Sequence, residues 1–419
     1  MTGNLQLNQD EQELNLSSTD TGSLHLVPLS IQQEGDSWLV GSLELNRFYQ
    51  MPEIGVQIIR LLQNEVPLAE VKTHLGGGDA SDIDVDEFAS TLIELGLAYK
   101  GPLCKPVASS AGSSKWLRVA RRIGRIVFSW PLACLYTLAV FYAASCLVRV
   151  PQARPSLSVF YFPGYLTASL LLLLVLRLLM VLLHELGHML AAARSGIDSH
   201  LGVGTRLWTI VIEADLTGVL SLPRGRRYLP LLAGMLTDVL GLSVLVIAVV
   251  HLLNARANWF VIQLVQALIM QTLLFMLWQW NIFLRTDLYY VMCTMLAYPD
   301  LDRDARLYLQ TFLYRLTGGH FGMEPQADQK SGRLNVVRAF SLIWLVGRLA
   351  SFYLLVVMAV PTLWHYARDD YRAFANASWK AVPYDFLFFT LISTALVVSG
   401  LWMWLSQMKS RKLRLLNQQ

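Results

Sequence analysis

The ten residues Val181–Leu190, "VLLHELGHML", set two histidines and a glutamate among leucine, valine and methionine. On an α-helix, His184 and His188 lie one turn apart on one face. Both imidazoles can then reach a single zinc ion. Glu185 is offset by about 100° of helix turn, close enough to hold a reacting water as general base. Three ionisable side chains within five residues cost several kcal/mol in an apolar helix unless a metal or a polar network satisfies them. The stretch therefore reads as a metal-binding helix inside a membrane.

Working outward, the composition supports the bilayer. Of 419 residues 54% are hydrophobic and only 15% charged, and the mean hydropathy is +0.43. A water-soluble domain cannot cover its core with so little charge. The small net charge of +4 argues against a nucleic-acid binder, whose basic residues gather on one face. Here they bracket apolar runs. Cys134, Cys146 and Cys293 sit in apolar surroundings and read as small core residues; with Cys104 they make no Cys-x-x-Cys pair.

Six apolar runs approach the length of about 20 residues that a bilayer core requires. They fall at about 126–148, 165–192, 229–253, 258–281, 338–363 and 384–406, inside a membrane domain of 126–406. The opening 1–23 is polar, without a signal peptide, and reads as a disordered cytosolic tail. Arginines fill the loops after the second and fourth runs and the tail 407–419, whereas few occupy the alternate loops. That asymmetry predicts cytosolic N- and C-termini in a multi-pass protein of the inner membrane. Residues 199–222 alternate and predict one or two short hairpins on or in the membrane. Residues 299–319 predict a cytosolic amphipathic helix. Arg177, in mid-run, is expected to face the bundle and pair with an acid or a carbonyl.

A catalytic zinc takes a third protein ligand and keeps one position for water. By charge counting, the fourth run ends on the same side as His184 and His188, at "QWNIFLRTDLYYVM", where Asp287 stands six residues after Asn281. This pairing resembles the site-2 protease family of intramembrane zinc metalloproteases, over about 165–298. The resemblance makes Asp287 the third ligand. Asn281 and Asp287 match the family's N-P-x-x-x-x-D-G segment, while Ile282 and Leu288 replace its proline and glycine. On the intervening helix, "LLAGMLTDVLG" keeps Gly234 of a G-P-x-x-N pattern, with Met235 and Asp238 at the other two places. Gly234, Asp238 and Asn281 are supporting or substrate-binding candidates, Asp238 either as a substrate-orienting group or as a polar partner within the bundle.

Residues 24–103 read as a small cytosolic α+β domain. "SWLVGSLELNRFYQM" alternates like strands, "EIGVQIIRLLQNEVPLAEVKTHL" has helical spacing, and "DVDEFASTLIELGLAYK" ends a helix in a glycine turn and a short strand. "GGGDASD" is a loop, and 104–125 a basic linker. The helix ending in "LIELGLAYK" is similar to the PqqD-like domain, the winged-helix RiPP recognition element. The resemblance implies a partner: a peptide substrate whose leader segment binds as an added strand.

The fold class expected is thus mainly α: a six-span helical membrane protein with an N-terminal winged-helix-like domain. The function expected is zinc hydrolysis of a peptide bond in a membrane-associated precursor, with leader removal during maturation or export of a modified peptide. The alternatives are a non-proteolytic export partner or immunity protein, and regulated cleavage of a membrane-anchored signalling protein.

Overall fold

The computed structural model describes residues 24–35, 37–75, 84–100, 115–162, 165–206, 209–318, 334–354, 356–357 and 384–416, with residues 364 and 368. The tail 1–23, the "GGGDASD" loop, the first part of the linker with Cys104, and His320 lie outside them. The chain divides into two compact units, 1–114 and 115–419.

In the first unit, strands β1 (Leu24–Leu26), β2 (Ser30–Glu34), β3 (Ser37–Ser42) and β4 (Arg47–Met51) precede helices α1 (Glu53–Gln63), α2 (Leu68–His74) and α3 (Val85–Glu94) and strand β5 (Ala98–Lys100). β2, β3 and β4 form an antiparallel meander, and β1 pairs with β5. Alternation located β3 and β4; β1 and β2 are additional. The helical pattern after Met51 breaks in two because Glu65 turns left-handed and Pro67 ends any continuation. Asp84 caps α3, accepting from the backbone of Asp86 and Glu87. Val40, Val56, Ile59, Leu92 and Leu97 fill the core between sheet and helices. Gly41 is required because a Cβ there would strike the Arg47 carbonyl.

The second unit contains α4 (Lys115–Val127), α5 (Trp130–Arg149), α6 (Leu166–Arg194), strands β6 (Leu201–Arg206) and β7 (Thr209–Ala214), then α7 (Arg224–Asn254), α8 (Trp259–Trp278), α9 (Asp287–Leu296), α10 (Leu301–Leu316), α11 (Leu334–Leu354) and α12 (Tyr384–Leu416). Among the described residues, five helices are long and apolar enough to cross a membrane: α5, α6, α7, α8 and α11. The sixth expected run, 384–406, lies in α12, whose apolar section is Leu387–Gly400. β6 and β7 pair as the expected hairpin, and α10 is the expected amphipathic helix. Residues 115–125 differ from the linker reading. They are helical, and Leu117 and Ala120 pack on Leu190 and Ala193 of α6.

Two glycines let these helices meet closely. A Cβ at Gly187 would press on Thr237 and the Ala233 carbonyl of α7, and one at Gly124 would strike the Leu190 carbonyl. Small residues at such crossings are how apolar helices associate where lipid supplies no hydrophobic drive. Cys146 and Cys293 are buried as expected, but Cys134 is exposed. Burial pushes the Cys293 thiol up to about 12, so it stays protonated and inert.

Candidate metal centre

From His184 to Ala193, every residue of α6 but Leu186 is buried. His184 and His188 are 1% and 2% exposed, and Gly187, Ala191 and Ala192 beside them are buried. Each imidazole is fixed at Nδ1. His184 Nδ1 lies 2.8 Å from Asp238 Oδ2, and His188 Nδ1 lies 2.7 Å from the Pro230 carbonyl oxygen. A carbonyl only accepts, so the His188 proton sits on Nδ1 and its Nε2 presents a lone pair. The carboxylate of Asp238 sets the same tautomer for a neutral His184.

The two Nε2 atoms face each other at 3.2 Å. Asp287 Oδ2 completes the triangle, 3.0 Å from His184 Nε2 and 3.3 Å from His188 Nε2. These residues form a group whose ligand atoms all lie within 4.8 Å of one another. With both imidazoles neutral in these tautomers, three electron-rich atoms face one another in a buried place, an arrangement that a cation among them relieves. The dimensions also suit one: tetrahedral bonds of about 2.05 Å place neighbouring ligands about 3.3 Å apart. The donor set therefore fits a divalent metal ion.

Asp287 arrives by a turn rather than by the missing proline and glycine. Ile282–Leu284 forms a short 3-10 turn, and Arg285 takes a left-handed conformation, φ 57° and ψ 44°. Thr286 is extended, its hydroxyl donates to the Gln279 carbonyl at 2.7 Å, and α9 begins at Asp287 itself. Ile282 and Leu288 are thus compatible with carboxylate delivery. Arg224, at the start of α7, donates to the Thr294 and Met295 carbonyls at the end of α9. That clamp fixes the helix bearing Asp287 against the helix bearing Asp238.

Gly234 has a steric role. A Cβ there would collide with Nε2 of both histidines. Asp238 is 1% exposed and takes the polar-partner role, holding His184. Asn281 is not brought to the ligands by its hydrogen bond: its amide donates to the Trp278 carbonyl at 3.0 Å. Glu185 Oε2 accepts from the Ala214 backbone N–H at 2.7 Å, and Oε1 lies 4.0 Å from His184 Nε2. The Glu185 and Asp287 side chains keep 10% and 15% exposure, against 2% for the imidazoles. The open approach to the ligand triangle is therefore on the carboxylate side.

Arg177 meets the expected acid through charge alone, Asp238 acting on it across the bundle without a hydrogen bond. Neither Nη1 nor Nη2 has a hydrogen-bond partner among the described residues. Its guanidinium instead stacks 3.8 Å above the Phe275 ring, and that ring stands edge-on to His184 at 5.5 Å. Pro230, Gln279, Thr286 and Ala214 were missed by sequence reasoning. Only Pro230 carried a local signal, a proline within an apolar helix.

No protein-family model, curated protein or solved structure matches the chain.

Proposed function

We propose that this chain is an intramembrane zinc endopeptidase of multi-pass topology, with both termini in the cytosol. The observation that carries the reading is the convergence of His184, His188 and Asp287 beside the carboxylate of Glu185. The two Nε2 atoms and Asp287 would hold zinc, which supplies a Lewis acid that polarises a scissile carbonyl and acidifies water there.

The remaining chemistry belongs to the protein. Glu185 Oε2 is anchored on Ala214, so Oε1 is the oxygen available to take a proton from the attacking water. The same oxygen returns that proton to the departing amine as the C–N bond breaks. Asp238 and the Pro230 carbonyl keep both imidazoles oriented throughout. The buried turns of α6 exclude bulk water on the histidine side. The β6–β7 hairpin, tied to Glu185, offers an edge on which an unwound substrate can pair as a strand.

The substrate we favour is a ribosomally made precursor peptide at the membrane, its leader held by the N-terminal β-rich unit. The edges of the β2-β3-β4 sheet are where a leader strand would add. The competing reading is a structural zinc site in an export or immunity protein. The Glu185 bond to Ala214 favours it, since that bond alone gives the carboxylate a use.

One experiment separates them. Zinc is measured in the purified chain and in His184→Ala, Asp287→Ala and Glu185→Gln, together with cleavage of a single-span model peptide. Loss of zinc is expected in the first two. Glu185→Gln should keep zinc and lose cleavage by about 100-fold or more. Full cleavage by Glu185→Gln would remove the base assignment. Deleting residues 1–104 should leave zinc bound while leader-peptide affinity drops; unchanged affinity defeats the recognition role.

A further inference from the structure

Helix α4 has three faces, and one of them packs on α6. Leu117, Ala120 and Gly124 are buried against α6. Trp116, Val119, Ile123 and Ile126 form a second stripe at helical spacing, 40–63% exposed, and Trp130, 80% exposed, continues it into α5. Arg118, Arg122 and Arg125 lie exposed on the third face, with Lys115 beside them. No acidic residue occurs between 115 and 127.

The level of this helix relative to a bilayer is fixed at two points. Phe128 and Ser129 alone separate it from α5, the first candidate span. Its buried face rests on the last turns of α6, the second candidate span, where Arg194 also donates to the Phe128 carbonyl at 2.6 Å. Both span ends mark a membrane boundary. An apolar stripe beside a purely basic stripe, held at that height, matches a helix lying in the headgroup layer.

We propose that Lys115–Val127 is an interfacial helix that docks on an anionic lipid leaflet. Trp116, Val119, Ile123 and Ile126 enter the acyl boundary, while Arg118, Arg122 and Arg125 bind lipid phosphates. Because the opposite face is locked to Leu190 and Ala193, the docked leaflet also braces the metal-bearing end of α6. This inference stands apart from peptidase activity and needs only the membrane-spanning reading of α5 and α6.

The test uses the full chain with its four cysteines replaced by alanine, reconstituted in phosphatidylcholine vesicles with or without phosphatidylglycerol. Nitroxide labels are placed singly at Val119→Cys, Ile123→Cys and Arg122→Cys. Positions 119 and 123 should be reached by oxygen and shielded from a water-soluble nickel complex, with position 122 the reverse. Spin-labelled phosphatidylglycerol should be retained in preference to phosphatidylcholine. The preference should weaken by about fivefold per arginine in Arg118→Glu/Arg122→Glu/Arg125→Glu and persist in the corresponding lysine variant. The lysine variant controls for folding. Equal nickel access at all three positions would overturn the proposal. So would shielding of 119 and 123 from both probes, which marks a protein partner or second copy. A lipid preference unmoved by charge reversal overturns the anionic part.

Discussion

The two halves of α6 differ in what surrounds them. From Leu171 to Leu183 the helix is a leucine-rich rod, with Leu171, Val175, Leu178, Leu179 and Leu183 each more than 40% exposed. From His184 to Ala193 every residue but Leu186 is buried. On the membrane-spanning reading proposed above, the outward side of the first half faces lipid, where any apolar side chain serves. The second is wrapped by α4, α7 and the β6–β7 hairpin, and there each position is set by what it touches. Polar groups are tolerated at the buried end because Asp238, Pro230 and Ala214 satisfy them.

That contrast can be broken experimentally. The largest effect is expected from Gly234→Ala, whose methyl would occupy the space beside both Nε2 atoms. Zinc affinity should drop by about 100-fold or more, beyond the usual cost of losing an outer hydrogen bond. Competition against a chelator measures it, and wild-type affinity would show that α6 and α7 are not locked at this crossing. Asp238→Ala should cost about 10–100-fold in zinc affinity, with Asp238→Asn milder because its amide oxygen can still accept from His184 Nδ1. If asparagine were as damaging as alanine, the charge rather than the hydrogen bond would be what matters. The smallest effect belongs to the lipid-facing half. Leu179→Ala, 52% exposed, should shift thermal stability by no more than about 0.5 kcal/mol and leave zinc untouched. A large loss there would mean that the exposed half is covered by another helix or chain.

Much of this site was legible because its central part is local. The i, i+4 spacing of His184 and His188 needs only a helix, and an apolar run makes the helix. Asp287 was legible at one remove, through the side of the membrane on which its run ends. The N-terminal meander was only half legible: β3 and β4 alternate, but β1 is three residues long and exists only because β5 pairs with it. The amphipathic character of 115–127 was hidden by its arginines, which read as a flank until the buried Leu117, Ala120 and Gly124 revealed a packing face.

Taken alone, the order of residues determined that a metal-seeking histidine pair lies within an apolar helix, because that relation spans a single turn of backbone. Tertiary structure alone decided which groups surround it. His184 finds Asp238 across 54 residues and Asp287 across 103, Gly234 matters only where α7 crosses α6, and Glu185 meets a hairpin end. Such partners depend on how rigid helices pack, and packing is a property of their faces together rather than of any one stretch of chain.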